Sequence, residues 1–245
     1  MKIIRFLPAF CIIIFLVFLN GCPNDLTTIK GNGTIVDQER VVGEFHSVTL
    51  EGGFNVNIHY AVNFKVVVTT DSNLQDYIIT YVSGNVLIVD LKPGSNSNIV
   101  TKNLDIDVYL PELKTVKLKG VGNIKIIDGE TTDFGIILSG GGNIDVQNFK
   151  AENVNIDHSG VGNIKFTGGE TTDLGIIFSS GGNIDALNFE AENADVNHSG
   201  VGDIKVWATN TLDITFSGGG DVYYKGDPSI NYSSLPGSVG RIIKI

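Results

Sequence analysis

The amino-acid sequence predicts an all-β fold, a β-helix (β-solenoid) with about 20 residues per coil in a single domain. Three observations carry this expectation. Residues 120–159 and 160–199 are near copies of one another, identical at 27 of 40 aligned positions. Within and beyond them a Gly-rich turn followed by Asn or Asp recurs at Gly122-Asn123, Gly142-Asn143, Gly162-Asn163, Gly182-Asn183, Gly202-Asp203 and Gly220-Asp221, in steps of 20, 20, 20, 20 and 18 residues. Residues one step apart then fall into columns: Ile124, Ile144, Ile164, Ile184, Ile204 and Val222; Ile136, Ile156, Ile176, Val196 and Ile214; and Leu118, Leu138, His158, Phe178, His198 and Phe216. The first two are apolar throughout. The unit is therefore a 20-residue coil, and the 40-residue copy is a pair of coils, one carrying Leu or Phe and the next His at the same station. Coils stacked at the inter-strand spacing of about 4.8 Å pair every backbone group with the coil above or below.

Each unit reads as two short strands and two turns, for example Asn123–Ile127, a turn at Asp128-Gly129-Glu130, Thr132–Ser139, then Gly140–Gly142. Upstream, Phe45–Tyr60 holds two alternating runs about Gly52-Gly53, and Phe64–Thr70, Val86–Leu91 and Leu104–Leu110 read as strands. Asp71–Tyr81 reads as a strand or a single helical turn. The less repetitive N-terminal third is expected to close one end of the stack, and the tail from Gly226, with Pro228 and Pro236, the other.

The N-terminus reads as a targeting segment. Lys2 and Arg5 precede an apolar stretch of 14 residues, Phe6–Leu19, too short for a membrane span. It ends in Leu19-Asn20-Gly21-Cys22, which resembles the lipobox of bacterial lipoproteins, although Asn20 is unusual there. An ordinary secretory signal followed by a chance Cys is the alternative. The domain plan is a lipoprotein signal peptide over 1–21, a tether over 22–30 with Cys22 lipidated, and a β-helical head over 31–245 with its capping tail. Cys11 lies within the signal, so Cys22 is the one Cys of the mature chain and no intrachain disulfide forms. Net charge is −10; losing Lys2 and Arg5 makes it −10 − 2 = −12. Such a chain lacks the clustered Lys and Arg that nucleic acid requires.

Motifs with a chemical look have structural explanations. Gly-x-Gly-Asn is followed by a strand rather than a helix, so it is no nucleotide-binding turn. Its glycines serve sharp corners, and its Asn side chains bond turn backbone and one another up the stack. The period of 20 departs from the nine-residue calcium β-roll, and Asp145, Asp185, Asp203 and Asp221 form no dense carboxylate set, which leaves only weak surface calcium binding open. His158 and His198 sit two coils apart, roughly 9–10 Å, too far to share one metal ion. Each reads as a neutral imidazole stacked between apolar neighbours near a turn. His46 and His59 have no evident partners. A pectate-lyase-type site needs clustered acids with a basic residue, yet Arg5, Arg40 and Arg241 are the only Arg residues and none lies in the repeats. Asp105, Asp107 and Asp145 point outward, and Lys125 and Lys165 alternate with ordinary polar residues. Ser159 and Ser199 are turn residues, not nucleophiles. Neither a catalytic residue, a metal site nor a cofactor is expected.

The run Gly31-Asn32-Gly33 … Glu39-Arg40-Val41-Val42 … Phe45-His46-Ser47-Val48 … Gly52-Gly53-Phe54-Asn55-Val56 resembles the start of the head GIN domain family of auto-transporter-like bacterial adhesins. Leu104–Lys114 followed by Gly120-Val121-Gly122-Asn123-Ile124 is similar to the same family, and the resemblance spans about residues 31–225. It implies a β-helical solenoid without catalytic residues and a role in cell adhesion, here as a lipoprotein of the cell envelope, in the outer membrane on its periplasmic or surface face. The expected partners are the membrane, through the lipid, and a glycan or protein ligand, with oligomerisation open. The alternatives are a periplasmic scaffold or sensor that binds another envelope protein, and a polysaccharide-active β-helix enzyme. Trp207, Tyr223 and Tyr224 are the first candidates for surface binding, with edge packing as the competing role.

Overall fold

The computed structural model describes residues 27–93 and 97–245; the expected signal peptide and Cys22 lie outside the described residues. Among the described residues eighteen strands run in chain order. They are β1 (Thr27–Lys30), β2 (Ile35–Arg40), β3 (Ser47–Leu50), β4 (Asn55–Tyr60), β5 (Lys65–Asp71), β6 (Ile78–Ser83), β7 (Val86–Leu91), β8 (Ser97–Val100), β9 (Leu104–Leu110), β10 (Thr115–Leu118), β11 (Asn123–Leu138), β12 (Ile144–His158), β13 (Asn163–Phe178), β14 (Asn183–His198), β15 (Ile204–Phe216), β16 (Val222–Lys225), β17 (Ser229–Ser234) and β18 (Ile242–Lys244). Between β5 and β6 lies one 3-10 turn, Gln75–Tyr77, so Asp71–Tyr81 supplies both a helical turn and a strand.

The register confirms the 20-residue coil. Ile124 pairs with Ile144, Ile144 with Ile164, Ile164 with Ile184, Ile184 with Ile204 and Ile204 with Val222, all in parallel. These residues are at most 1% exposed, so the column is core. One detail differs from the expected pair of short strands. Each of β11 to β14 is one long strand: from β11 to β13 the backbone ladder continues through the corner in register, and between β13 and β14 it passes an irregularity near Thr167. Between β11 and β12 the ladder skips only Asp128 and Thr132, which leaves three straight runs: 124–127, 129–131 and 133–138. The first corner takes left-handed backbone at Asp128 (φ 57°) and Asn148 (φ 49°), residue types that tolerate it.

Large and small side chains alternate at that corner. Gly129, Phe149 and Gly169 are register neighbours. Phe149 fills the space above Gly129 and stacks on Phe134 with ring centroids 4.2 Å apart; Phe189, two coils on, packs on Phe166 at 4.5 Å. The fourth side of each coil is the Gly turn, and at its last glycine stacking leaves no room for a side chain. A Cβ on Gly182 would lie 1.6 Å from the Gly162 carbonyl oxygen.

The N-terminal third closes its end with antiparallel strands. Beyond β4 the sheet continues through β9, then β5, then β2, the last two pairings antiparallel. Beyond β10 it continues through β3 and β7 to antiparallel β6. Arg40 fixes this end by donating to the Gln75 backbone carbonyl and side chain at 2.8 and 3.0 Å. Thr27–Lys30, the last residues of the expected tether, form β1 parallel to β8. At the other end the tail from Gly226 supplies β17 and β18, which add parallel rungs on β15 and β16. Hydrogen bonding to the preceding coil outcompetes a free loop wherever register and side-chain size permit.

Candidate binding surface

The chemistry-bearing side chains of the repeats lie on three long faces and one turn edge. On the first run, Lys125, Asp145, Lys165, Asp185 and Lys205 are successive register neighbours. Each of these residues follows an isoleucine along the chain, and across the coils lysine alternates with acid. At the adjoining turn edge Asn123, Asn143, Asn163 and Asn183 form a ladder. The Asn143 side-chain amide and backbone N–H both donate to Asn123 Oδ1, at 3.0 and 3.1 Å, and the pattern repeats at Asn163 and Asn183. Asp203 N–H continues it to Asn183 at 2.9 Å, and Asp221 N–H to Asp203 at 2.9 Å. Arg241 ends it: its guanidinium reaches Asp221 Oδ2 at 2.6 Å, and that bond holds the Asp221 carboxyl below the usual range.

The second run bears the most acidic face. Glu130, Lys150, Glu170, Glu190, Trp207 and Lys225 succeed one another in register. With Glu112, Glu152 and Glu192 the four-coil part lines a groove of about 790 Å³. Lys150 meets Glu170 at 2.6 Å, which raises the lysine's pKa. At its end Lys225 Nζ sits 3.5 Å over the Trp207 ring.

The third run alternates coil by coil. Gly135 and Ile137 are followed by Asn155 and Asp157, then Gly175 and Ile177, then Asp195 and Asn197. They line a shallow groove of about 600 Å³. Ile177 is 59% exposed there.

The three candidate aromatics do not form one row. Trp207 is half-buried beneath Lys225 on the second face. Tyr223 lies on the first, 5.8 Å from Lys205 and 3.4 Å from Asp221. Tyr224 continues the inward position of Val206 and packs against the core. The two column histidines are buried, and their Nε2 atoms bond the carbonyls of Gly162 and Gly202 at 3.0 and 2.8 Å. Neither Nδ1 has a hydrogen-bond partner among the described residues, and each Nε2, facing a carbonyl oxygen, is the donor. Burial lowers the His158 pKa. His59 does have a partner, hidden by sequence separation: Asp107 at 3.0 Å, with the Tyr109 ring stacked at 4.9 Å; His46 Nδ1 lies 3.6 Å from Glu112, beyond hydrogen-bond distance, and has no hydrogen-bond partner among the described residues. Asp105 and Asp145 are exposed. Among the described residues no group of three or more His, Cys, Asp or Glu side chains is placed to hold a metal ion. Sequence reasoning missed the second and third faces, since their members are 20 residues apart and ordinary in type; reading the outward columns as well as the inward ones exposes both.

Solved structures share this architecture. An adhesin structure from Bacteroides fragilis, itself described as "putative", is 26% identical, with a TM-score of 0.82, covering 89% of this chain and 100% of that one. A protein from Parabacteroides distasonis described as a "putative lipid binding protein" is 24% identical with a TM-score of 0.66, over 89% of this chain and 100% of that one. A "putative adhesin" from Parabacteroides merdae is 20% identical with a TM-score of 0.64, over 89% and 99%. The last two show the fold alone. No curated protein matches the sequence. Residues 44–228 match the family described as "putative auto-transporter adhesin, head GIN domain", and the chain belongs to that family.

Proposed function

We propose that the protein is a non-enzymatic adhesin of the bacterial envelope, anchored in the outer membrane by lipid on Cys22. One observation carries the binding role: the fold devotes its reactive-looking groups to stacking and presents long, regular outer faces. His158 and His198 brace turns, and the Asn ladder consumes its own amides. What remains accessible is extended surface, which suits contact with another surface. The anchoring rests on Lys2, Arg5, the 14-residue apolar stretch and Leu19-Asn20-Gly21-Cys22.

The test uses the full chain expressed in a lipoprotein-processing bacterium. Adhesion requires that displaying cells bind glycan-coated, matrix-coated or cell-coated wells above cells carrying an unrelated lipoprotein; equal binding on all three refutes it. Anchoring requires incorporation of a palmitate analogue that Cys22→Ser abolishes. Protease treatment of intact cells separates the surface face, where the head is cut, from the periplasmic one.

The glutamates of the second face favour one alternative, a polysaccharide-active enzyme, because glycoside hydrolysis uses paired carboxylates. Release of reducing ends from a polysaccharide panel, lost in Glu170→Gln or Glu190→Gln, decides for it.

A further inference from the structure

We propose that the groove on the third run is a glycan-binding site that takes a neutral, linear, hydroxyl-rich polysaccharide lying along the solenoid axis. This rests on the adhesin reading and names its ligand class and site.

The argument starts from what the outward positions do not do for the fold. Beside this groove, Asn153 donates to Asp133 at 2.9 Å and Asn193 to Asp173 at 3.0 Å, so those acids and amides serve coil stacking. The side chains of Asn155, Asp157, Asp195 and Asn197, two and four positions further along the same strands, make no hydrogen bond to the described residues. They are exposed acceptors and donors on a backbone already fixed from behind by His158 and His198. Between the polar rungs, Gly135 and Gly175 leave bare floor beside Ile137 and Ile177. Ile177 leaves 59% of its surface exposed on this sheet face, an apolar surface open to a ligand.

Alternating apolar and carboxylate-plus-amide rungs match one chemistry. The C–H face of a sugar ring covers a Gly/Ile rung, and its hydroxyls donate to Asp157 and Asp195 and exchange bonds with Asn155 and Asn197. Charge narrows the class: the lining holds two carboxylates and no Lys or Arg, with Lys117 only beyond its end beside Ile137, so its centre repels uronic-acid and sulfated polymers and nucleic acid. Geometry narrows it again. The pattern recurs every second coil, about 9.6 Å at the inter-strand spacing, so it suits a straight polymer whose units repeat on that scale.

The experiment titrates the full chain, purified in detergent, with neutral cello-, xylo- and chito-oligosaccharides of increasing length, and with polygalacturonate. The expected result is binding to at least one neutral series that strengthens with length until two apolar rungs are spanned, and none to polygalacturonate. Ile177→Ser and the pair Asp157→Ala with Asn197→Ala weaken it by about tenfold or more, while Lys165→Ala on the first face leaves it unchanged. Circular dichroism confirms that each variant is folded. Three outcomes overturn the site: no neutral series binds, the third-face variants bind as the parent does, or polygalacturonate binds equally. If these occur while displaying cells still adhere, only the site and ligand class fail; if cells do not adhere either, the adhesin reading falls with them. Adhesion to protein-coated wells that Ile177→Ser abolishes, without glycan binding, gives the face a protein partner and also overturns the proposal.

Discussion

His198 Nε2 donates to the carbonyl oxygen of Gly202 at 2.8 Å, tying the end of one coil to the turn that opens the next. His158 and Gly162 repeat the relationship two coils earlier at 3.0 Å. The ring fills the same column position as Leu138 or Phe178 and adds one donor aimed at a buried turn carbonyl. His158→Phe should therefore keep the packing and lose the bond, destabilising by about 1 kcal/mol at pH 8 in denaturant unfolding. It should also change the acid limb. Burial lowers the His158 pKa from 6.5, so below pH 6.5 the unfolded chain takes a proton that the folded one resists. Stability from this group is complete above pH 6.5 and is lost as pH falls towards the lowered folded value. The parent should lose more stability than the variant between pH 7 and 5; parallel curves would remove this role.

Gly182 shows why the turn motif is strict. A methyl there would sit 1.6 Å from the Gly162 carbonyl oxygen and 2.7 Å from its carbon, and backbone cannot yield as a side chain can. Gly182→Ala should cost about 1–3 kcal/mol by overpacking. Gly141→Ala is the control, since its nearest neighbours are at 3.7 Å, and its melting temperature should stay close to the parent's.

These two positions also show what was legible in the sequence. Gly182 and Gly141 are both turn glycines, but only the period places Gly182 above Gly162, and the period was plain because stacking demands identity at each rung. The inward columns were legible for the same reason. The turn the sequence marks at Asp128-Gly129-Glu130 is a corner in the structure, but turn chemistry looks alike whether or not the ladder continues through it, and here it continues. The faces were less visible. Glu130, Lys150, Glu170 and Glu190 are unremarkable along the chain and acquire meaning only as neighbours in register. His59 with Asp107 was invisible, being separated by 48 residues in a region without the repeat.

The Asn ladder supplies a further test. Asn163 Oδ1 accepts from both the N–H and the side-chain amide of Asn183, at 3.1 Å each, while its own amide reaches Asn143 at 3.2 Å. Asn163→Ala should remove all three and cost about 1–2 kcal/mol, limited by solvent access to the turn edge. Asn163→Asp keeps the acceptor and loses one donor, so it should cost less. Hydrogen exchange at the Asn183 amide should rise in the alanine variant and stay near the parent rate in the aspartate one. Equal exchange in all three would show that the ladder follows the coil rather than securing it.

Tyr60 ties the closed end of the stack to the first repeat, its hydroxyl accepting the Leu113 N–H at 3.2 Å while its ring meets Phe149 edge-on at 6.0 Å. Burial pushes the phenol from 10.0 up to about 12, and the nearby Glu112 carboxylate adds to the rise against the Leu113 bond, which lowers it. The folded chain thus keeps a proton that the unfolded chain releases near pH 10, so the stability this group contributes is complete below pH 10 and is lost between pH 10 and 12. Tyr60→Phe should remove that alkaline loss relative to the parent. At neutral pH it should cost about 1–3 kcal/mol, because the Leu113 N–H is left without its acceptor. Unfolding measured at pH 8 and 11 separates the two effects: the gap between parent and variant should narrow at pH 11, and a gap that stays constant would place the alkaline loss elsewhere.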